Sequence, residues 1–425
     1  MTRSIRRILA AVWAMCATAC GDRTQASVSG IVVRDSAGVE IVEHTAAYIA
    51  SLPQWTIDTA PLVHIAGDAP GNAFTNIREV TQRPDGRFLV VEGRAREIRE
   101  YSSAGVFQRN IARGGRGPGE IESVSRLQLT PEDSLVVFDS YQRRASIFAP
   151  TGEFVRQVTY PRMSDGSSFT ALGMRADKRL LGTVKRPIGD LVETDGPVSR
   201  SPYAVVRVEL SAANADSGAS ATFDTIAVVP DLEEYPVAFP EEGKTYPEID
   251  GLIFGRRTNI GVLNDELFVG TNVTSEIQQY SDKGVVRRIR SGVVPGPVTE
   301  AHRAAVHAEL REILAKSSMP PDQKAAVLKY TLTQRRIASV FAFHETLTAG
   351  ADSTLWVEAP RLHDQAGRKY VVHDAQGRAI ARVEFPARIV PHSLSRDRML
   401  GVWLDGDDVP HVILWKIVPG SPAAR

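Results

Sequence analysis

The chain has 425 residues, 43% of them apolar and 24% charged, which is enough length and enough apolar surface for a large buried core. Its 50 basic and 50 acidic side chains cancel, which excludes bulk electrostatic attraction to nucleic acid or to an acidic membrane surface as the basis of its function. Its two cysteines, Cys16 and Cys20, both stand at the extreme N-terminus, which excludes a disulfide-built scaffold.

Met1 to Ala19 begins with Arg3, Arg6 and Arg7, runs through an apolar stretch from Ile8 to Ala17 and ends in Ala17-Thr18-Ala19-Cys20. A basic start, an apolar run too short to span a bilayer and small residues before a cysteine are the parts of an export signal. The residues around Cys20 resemble the lipobox of bacterial lipoproteins. That resemblance implies cleavage after Ala19, lipidation of Cys20 and a place in the cell envelope, periplasmic or outer-surface, with membrane contact through the lipid anchor only. Cys16 fits less well because bulky Met15 precedes it. Residues 20–54 are expected to form a tether and a β-hairpin.

From there the chain repeats itself. Pro84-Asp85-Gly86-Arg87-Phe88-Leu89-Val90-Val91 is a turn leading into a β-rich run, and Ile98 to Tyr101 leads through Gly105 into Val106-Phe107. The phrase returns at Pro131 to Phe138, followed by Ala145 to Phe148 and Gly152, and both Val91 to Phe138 and Gly105 to Gly152 are shifts of 47 residues. Weaker copies follow at Asp265 to Gly284 and Asp352 to Gly377, and degenerate ones at Asp177 to Leu210 and Asp397 to Ile417. Six units of short strands at about this spacing predict an all-β fold, a six-bladed β-propeller over 55–419. Trp55 to Ile65 reads as the outer strand of a closing blade shared with 388–418, because closure removes exposed edges.

The loop Arg113-Gly114-Gly115-Arg116-Gly117-Pro118-Gly119-Glu120, inside such a repeat and behind a lipobox, resembles the six-bladed β-propeller lipoproteins of environmental bacteria, relatives of the NHL-repeat propellers. The opening Val33 to Glu43 is similar to that group as well. The resemblance implies fold far more than activity.

One segment breaks the strand pattern. Within 297–337, Val306, Leu310, Ile313 and Leu314 fall on one helical face, Pro320-Pro321 interrupts, and Asp322 to Arg336 resumes, which predicts a helical-hairpin insertion over one face of the propeller.

No catalytic constellation stands out. The glycine loop lacks the Lys-Ser/Thr ending of a phosphate loop, although Arg113 and Arg116 flank it, and the nine histidines are scattered. No metal site is indicated. By the repeat register, Arg78 and Glu79 align with Ser125 and Arg126, and Arg256, Arg257, His344, Glu345 and His392 stand near the starts of inner strands of later blades. These residues are the candidates for a ring at the channel mouth that binds a small anionic ligand or a peptide. The reading is a membrane-tethered, monomeric, non-catalytic module for an envelope protein or a small ligand, with no cofactor indicated. The alternative is a channel-site hydrolase or lyase similar to the lactonase propellers, for which a divalent ion, calcium, is the expected cofactor.

Overall fold

The computed structural model describes residues 24–28, 30–69, 71–186, 197–210, 221–241, 244–263, 265–361 and 367–420. The export-signal stretch 1–19 and Cys20 lie outside the described residues. The protein is mostly β, with three helices among the described residues.

The N-terminal part gives β1 (Thr24–Val28), β2 (Ile31–Ser36), β3 (Val39–His44), α1 (Ala46–Ser51), β4 (Gln54–Ile57) and β5 (Val63–Ile65). Then come four-stranded antiparallel meanders. Sheet I holds β6 (Ile77–Gln82), β7 (Phe88–Glu92), β8 (Glu97–Tyr101) and β9 (Phe107–Ala112); sheet II holds β10 (Val124–Leu129), β11 (Leu135–Asp139), β12 (Arg144–Phe148) and β13 (Phe154–Thr159). Sheet III holds β14 (Ser168–Met174), β15 (Leu180–Lys185), β16 (Pro202–Leu210) and β17 (Ala221–Pro230), and a separate hairpin follows, β18 (Glu234–Glu241) and β19 (Lys244–Gly251).

Sheet IV is β20 (Asn259–Leu263), β21 (Glu266–Gly270), β22 (Ile277–Ser281) and β23 (Gly284–Ser291), after which come α2 (Glu300–Lys316) and α3 (Pro321–Thr333). Sheet V is β24 (Leu347–Ala349), β25 (Leu355–Glu358), β26 (Arg368–His373) and β27 (Ala379–Phe385). Sheet VI is β28 (Ile389–Leu394), β29 (Arg398–Leu404) and β30 (Pro410–Val418).

The 47-residue register reappears as geometry. Ile77 pairs with Glu92 and Val124 with Asp139, and each first strand carries an irregularity one step later, between Ile77 and Glu79 and between Val124 and Arg126. Apolar clusters sit between successive sheets. Leu89, Ile98, Leu127 and Val137 join I to II, Val136, Phe138, Phe169 and Val206 join II to III, and Leu181, Val205, Leu267 and Val269 join III to IV. Phe268, Ile289, Leu347 and Leu355 join IV to V, and Trp356, Phe385, Met399 and Ile413 join V to VI. Val80, Val90, Leu400 and Val412 pack sheet VI back onto sheet I.

The N-terminal strands fill three outer edges. β3 runs parallel along β23, with Arg287 on Glu40 at 2.5 Å and Arg290 on Glu43 at 2.7 Å. Trp55 to Ile65 is not one strand. β4 lies parallel to β27 and touches the end of β30, whereas β5 pairs with Val412 to Leu414 of β30. Pro61 has no N–H to donate and interrupts the run between them, yet both halves lie antiparallel along β30, with Ile57 opposite Ile417 and Val63 opposite Leu414.

Within each complete meander the turns after the first and third strands lie at one end, the lower. The second-to-third turns and the connections to the next sheet lie at the other, the upper. The long excursions, β18–β19 and α2–α3, both belong to upper-end connections. The lower ends interlock: Arg83, with its side chain fully buried, reaches Asp133 of the next sheet at 2.9 Å, and the Gln128 amide both donates to and accepts from the Met174 backbone, at 2.6 and 2.8 Å.

Thr299 begins α2 by accepting from the His302 N–H while the His302 ring accepts from the Thr299 N–H at 3.0 Å, a reciprocal cap. Pro321 at the first position starts α3. The two ends of the excursion meet: Pro297 bridges Val340, and the Val298 N–H donates to the Ser339 carbonyl at 2.8 Å.

Candidate functional site

The upper end carries four groups of candidate residues. On the inner strands, Glu79 of β6 stands 3.8 Å from the Nδ1 of His392 on β28, and it also acts electrostatically on Arg126 of β10, opposing the depression that burial imposes on that guanidinium. Three neighbouring inner strands thus share one carboxylate. Arg78, on the same strand as Glu79, turns away and lines a cleft of about 90 Å³ between sheets I and II with Arg96 and Glu122.

The second group lies beneath the helices. A cavity of about 320 Å³ opens between α2, the end of α3 and the 251–257 segment, with Arg256, Arg257 and Glu345 in its wall. Val306, Leu310 and Ile313 of α2 face it, together with Leu252, Ile253 and Phe254. The helical periodicity located this stripe. Leu314, one residue on, turns inward to 7% exposure while Ile313 stays 55% exposed at the cavity edge. α3 is pinned to β19: the Tyr330 hydroxyl donates to Asp250 at 2.9 Å and Arg335 pairs with the same carboxylate at 3.2 Å.

His344 does not join the channel mouth. It is 2% exposed, and the Asn259 amide donates to its Nδ1 at 3.0 Å, so its proton sits on Nε2, which has no partner. Asn272, fully buried with φ +59°, explains the inward turn. Its amide donates to the carbonyls of Arg257 (3.1 Å) and His344 (2.8 Å), and its oxygen accepts from the His344 N–H (2.9 Å). The ring rests against Gly270, where an added Cβ would fall 2.3 Å from Nε2. Sequence register placed His344 near a strand start but carries no sign of which way the side chain turns.

His344 and His373 share the wall of a mostly apolar cavity of about 100 Å³ between sheets IV and V. Burial lowers His344 to about 4 and His373 to about 3, the second helped by His44. In the unfolded chain both return towards 6.5 and bind protons first, so stability is complete above pH 6.5 and falls as the pH drops from 6.5 towards 4. We expect a loss of about 1.4 kcal/mol per pH unit for each histidine across that window. Melting temperature against pH, with His373→Phe flattening the slope, checks it; an unchanged slope in that variant would count against it.

The glycine loop is filled by its own chain. The Gly117 N–H donates to the Glu120 carboxylate at 2.7 Å, while Arg144 binds the carbonyls of Arg116, Gly117 and Glu120. A Cβ on Gly115, at φ +155°, would meet Glu120 at 2.1 Å. Glu120 is the anion in this loop, and Arg113 and Arg116 point their side chains to solvent.

Register reasoning overlooked a recurring position. Glu92, Asp139 and Glu358 end second strands and accept from the segments that lead into inner strands: Glu92 from Thr75 and Asn76, Asp139 from Glu122 and Ser123, Glu358 from Thr346. In sheet IV, Asn272, just past the second strand, holds the lead-in to the inner strand in the opposite sense, donating to the Arg257 carbonyl. The 47-residue step from Glu92 to Asp139 was the available signal. Among the described residues no group of three or more His, Cys, Asp or Glu side chains is placed to hold a metal ion, and no helix is long and apolar enough to cross a membrane.

No family model matches the chain, and no curated protein matches it either. Solved structures do. A protein described as exported, from Bacteroides fragilis, is 12% identical with a TM-score of 0.43, covering 87% of this chain and 99% of that one. A member of the DUF4221 family from Bacteroides vulgatus is 11% identical with a TM-score of 0.46, over 87% and 99%. A virginiamycin B lyase from Staphylococcus aureus is 10% identical with a TM-score of 0.38, over 86% and 100%. At such values neither ligand nor chemistry passes from those proteins to this chain.

Proposed function

We propose that this chain is a six-bladed β-propeller lipoprotein of the bacterial envelope, tethered through Cys20, and that it binds a small ligand without transforming it. The blades are sheets I to VI, with β5 as the fourth strand of the last. The packing of sheet VI on sheet I supports the closed ring, and the residues around Cys20 support the tether. The site is the groove beneath α2, on the face that carries the long connections.

One observation carries the binding reading: the cavity of about 320 Å³ exists because a helical excursion with joined ends lies over strand starts bearing Arg256, Arg257 and Glu345. That volume is at the lower end for ligand pockets, roughly 300–1,000 Å³. A propeller needs no helices to close, so the excursion serves the face and not the ring.

The expected result of replacing 299–338 with a short Gly-Ser linker follows. The flanks already touch, so the linker spans them without strain, and far-UV β signal and cooperative melting are retained. Thermal shift of the intact chain against a panel of amino acids, short peptides and small organic anions gives hits that the linker variant loses. Hits that survive the replacement would remove the groove from the proposal, and collapse of the variant would make the helices core.

A further inference from the structure

Resting on the reading of the groove as a binding site, we infer that its occupant is a zwitterion, an apolar amino acid or a short peptide, whose carboxylate meets Arg257 and whose ammonium meets Glu345. Most charges around the groove are already matched within the chain: Arg256 stands 3.9 Å from Glu233, Arg335 3.2 Å from Asp250 and Arg361 3.3 Å from Glu358, and Glu309 is engaged as well. Arg257 and Glu345 are different. Among the described residues neither side chain has a partner, yet both line the same cavity.

Their backbones are fixed. The Asn272 amide holds the Arg257 carbonyl at 3.1 Å and the His344 carbonyl at 2.8 Å, and the Glu345 N–H donates to the Glu358 carbonyl at 2.8 Å. Two opposite charges are therefore set into one wall without closing on each other. A simple anion drawn to Arg257 is repelled by Glu345, and a simple amine drawn to Glu345 is repelled by Arg257. A ligand bearing both charges satisfies both and escapes both repulsions. The lining also includes Phe254, Leu310 and Ile313, which suit an aliphatic side chain.

The test is isothermal titration of the full chain with L-leucyl-L-leucine, its N-acetyl form and its C-terminal amide. The free dipeptide is expected to bind about tenfold or more tighter than either blocked form, the factor of one charge-assisted hydrogen bond. Arg257→Gln should weaken the free dipeptide by a similar factor and should not weaken the amide, which loses only a repulsion. Glu345→Gln should weaken the free dipeptide and should not weaken the N-acetyl form, which loses only a repulsion. Equal binding of all three forms by the unmodified chain would overturn the zwitterion while leaving the groove as a binding site. Binding by none, together with no hit in the thermal-shift panel, would overturn both, and neither comparison depends on a variant folding.

Discussion

Deletion of residues 1–69 is expected to abolish cooperative unfolding. The deleted stretch contributes Ile41, Val42, Ile49, Leu52, Trp55 and Ile65 to the core, each under 9% exposed. At roughly 1.5–3 kcal/mol for each fully buried side chain, that loss is about as large as the whole stability of a typical fold, roughly 5–15 kcal/mol. It also bares edges. β23 loses β3, β27 loses β4, and β30 loses β5, leaving rows of unpaired N–H and C=O groups on three sheets. Deletion of 1–29 alone removes β1 and what precedes it and should leave the melt cooperative. Circular dichroism and limited proteolysis of the two truncations decide the matter. A chain beginning at 70 that melts in a single sharp transition would refute the closure drawn from β5 and β30.

The second large effect is expected at Asn272. Asn272→Ala removes three hydrogen bonds at a fully buried position and leaves the Arg257 and His344 carbonyls and the His344 N–H to find other partners. Each unsatisfied buried group costs about 1–3 kcal/mol, and alanine is a poorer fit than asparagine at φ +59°, so a loss of about 4 kcal/mol is expected. Asn272→Gly relieves the backbone but not the hydrogen bonds and should recover only about 1 kcal/mol of it. Chemical denaturation of the three proteins separates the two contributions. Equal stability of the alanine variant and the parent would mean that Arg257 and Glu345 are positioned by something else. Leucyl-leucine affinity should fall in both variants, since both release the backbone that carries those side chains.

The sequence made the repeated parts of this molecule legible and left the long-range parts hidden, for a physical reason. A meander writes itself locally: turn residues such as Pro84-Asp85-Gly86 and Pro131-Glu132-Asp133 precede apolar runs, and the pairings Ile77 with Glu92 and Val124 with Asp139 follow at one spacing. The parallel contact of β3 with β23 has no turn to announce it, because Glu43 and Arg290 are 247 residues apart. Helical period likewise located the stripe of α2, but period alone cannot say that Leu314 is buried and Ile313 exposed. The site was legible only as a set of strand starts. Arg256, Arg257 and Glu345 do meet at one cavity, whereas His344 is turned away by Asn272, and Arg335 joins them from just beyond α3, a helix whose docking no local pattern records.

The pairing of β5 with β30 also dictates an order of events. His64 and His411 touch across 347 residues of chain, and β3 must wait for β23. A ribosome or an export channel delivers the N-terminus first, so β3, paired with β2 alone, waits for β23, and β4 and β5 stay without partners until β27 and β30 have been made. Contacts of such long span are slow to form and leave edges exposed meanwhile. Sheets I and II, complete within themselves, are free to assemble early, while the earliest-made segment is the last to find its place. A chaperone that shields residues 31–65 during delivery would therefore act on the step that governs yield.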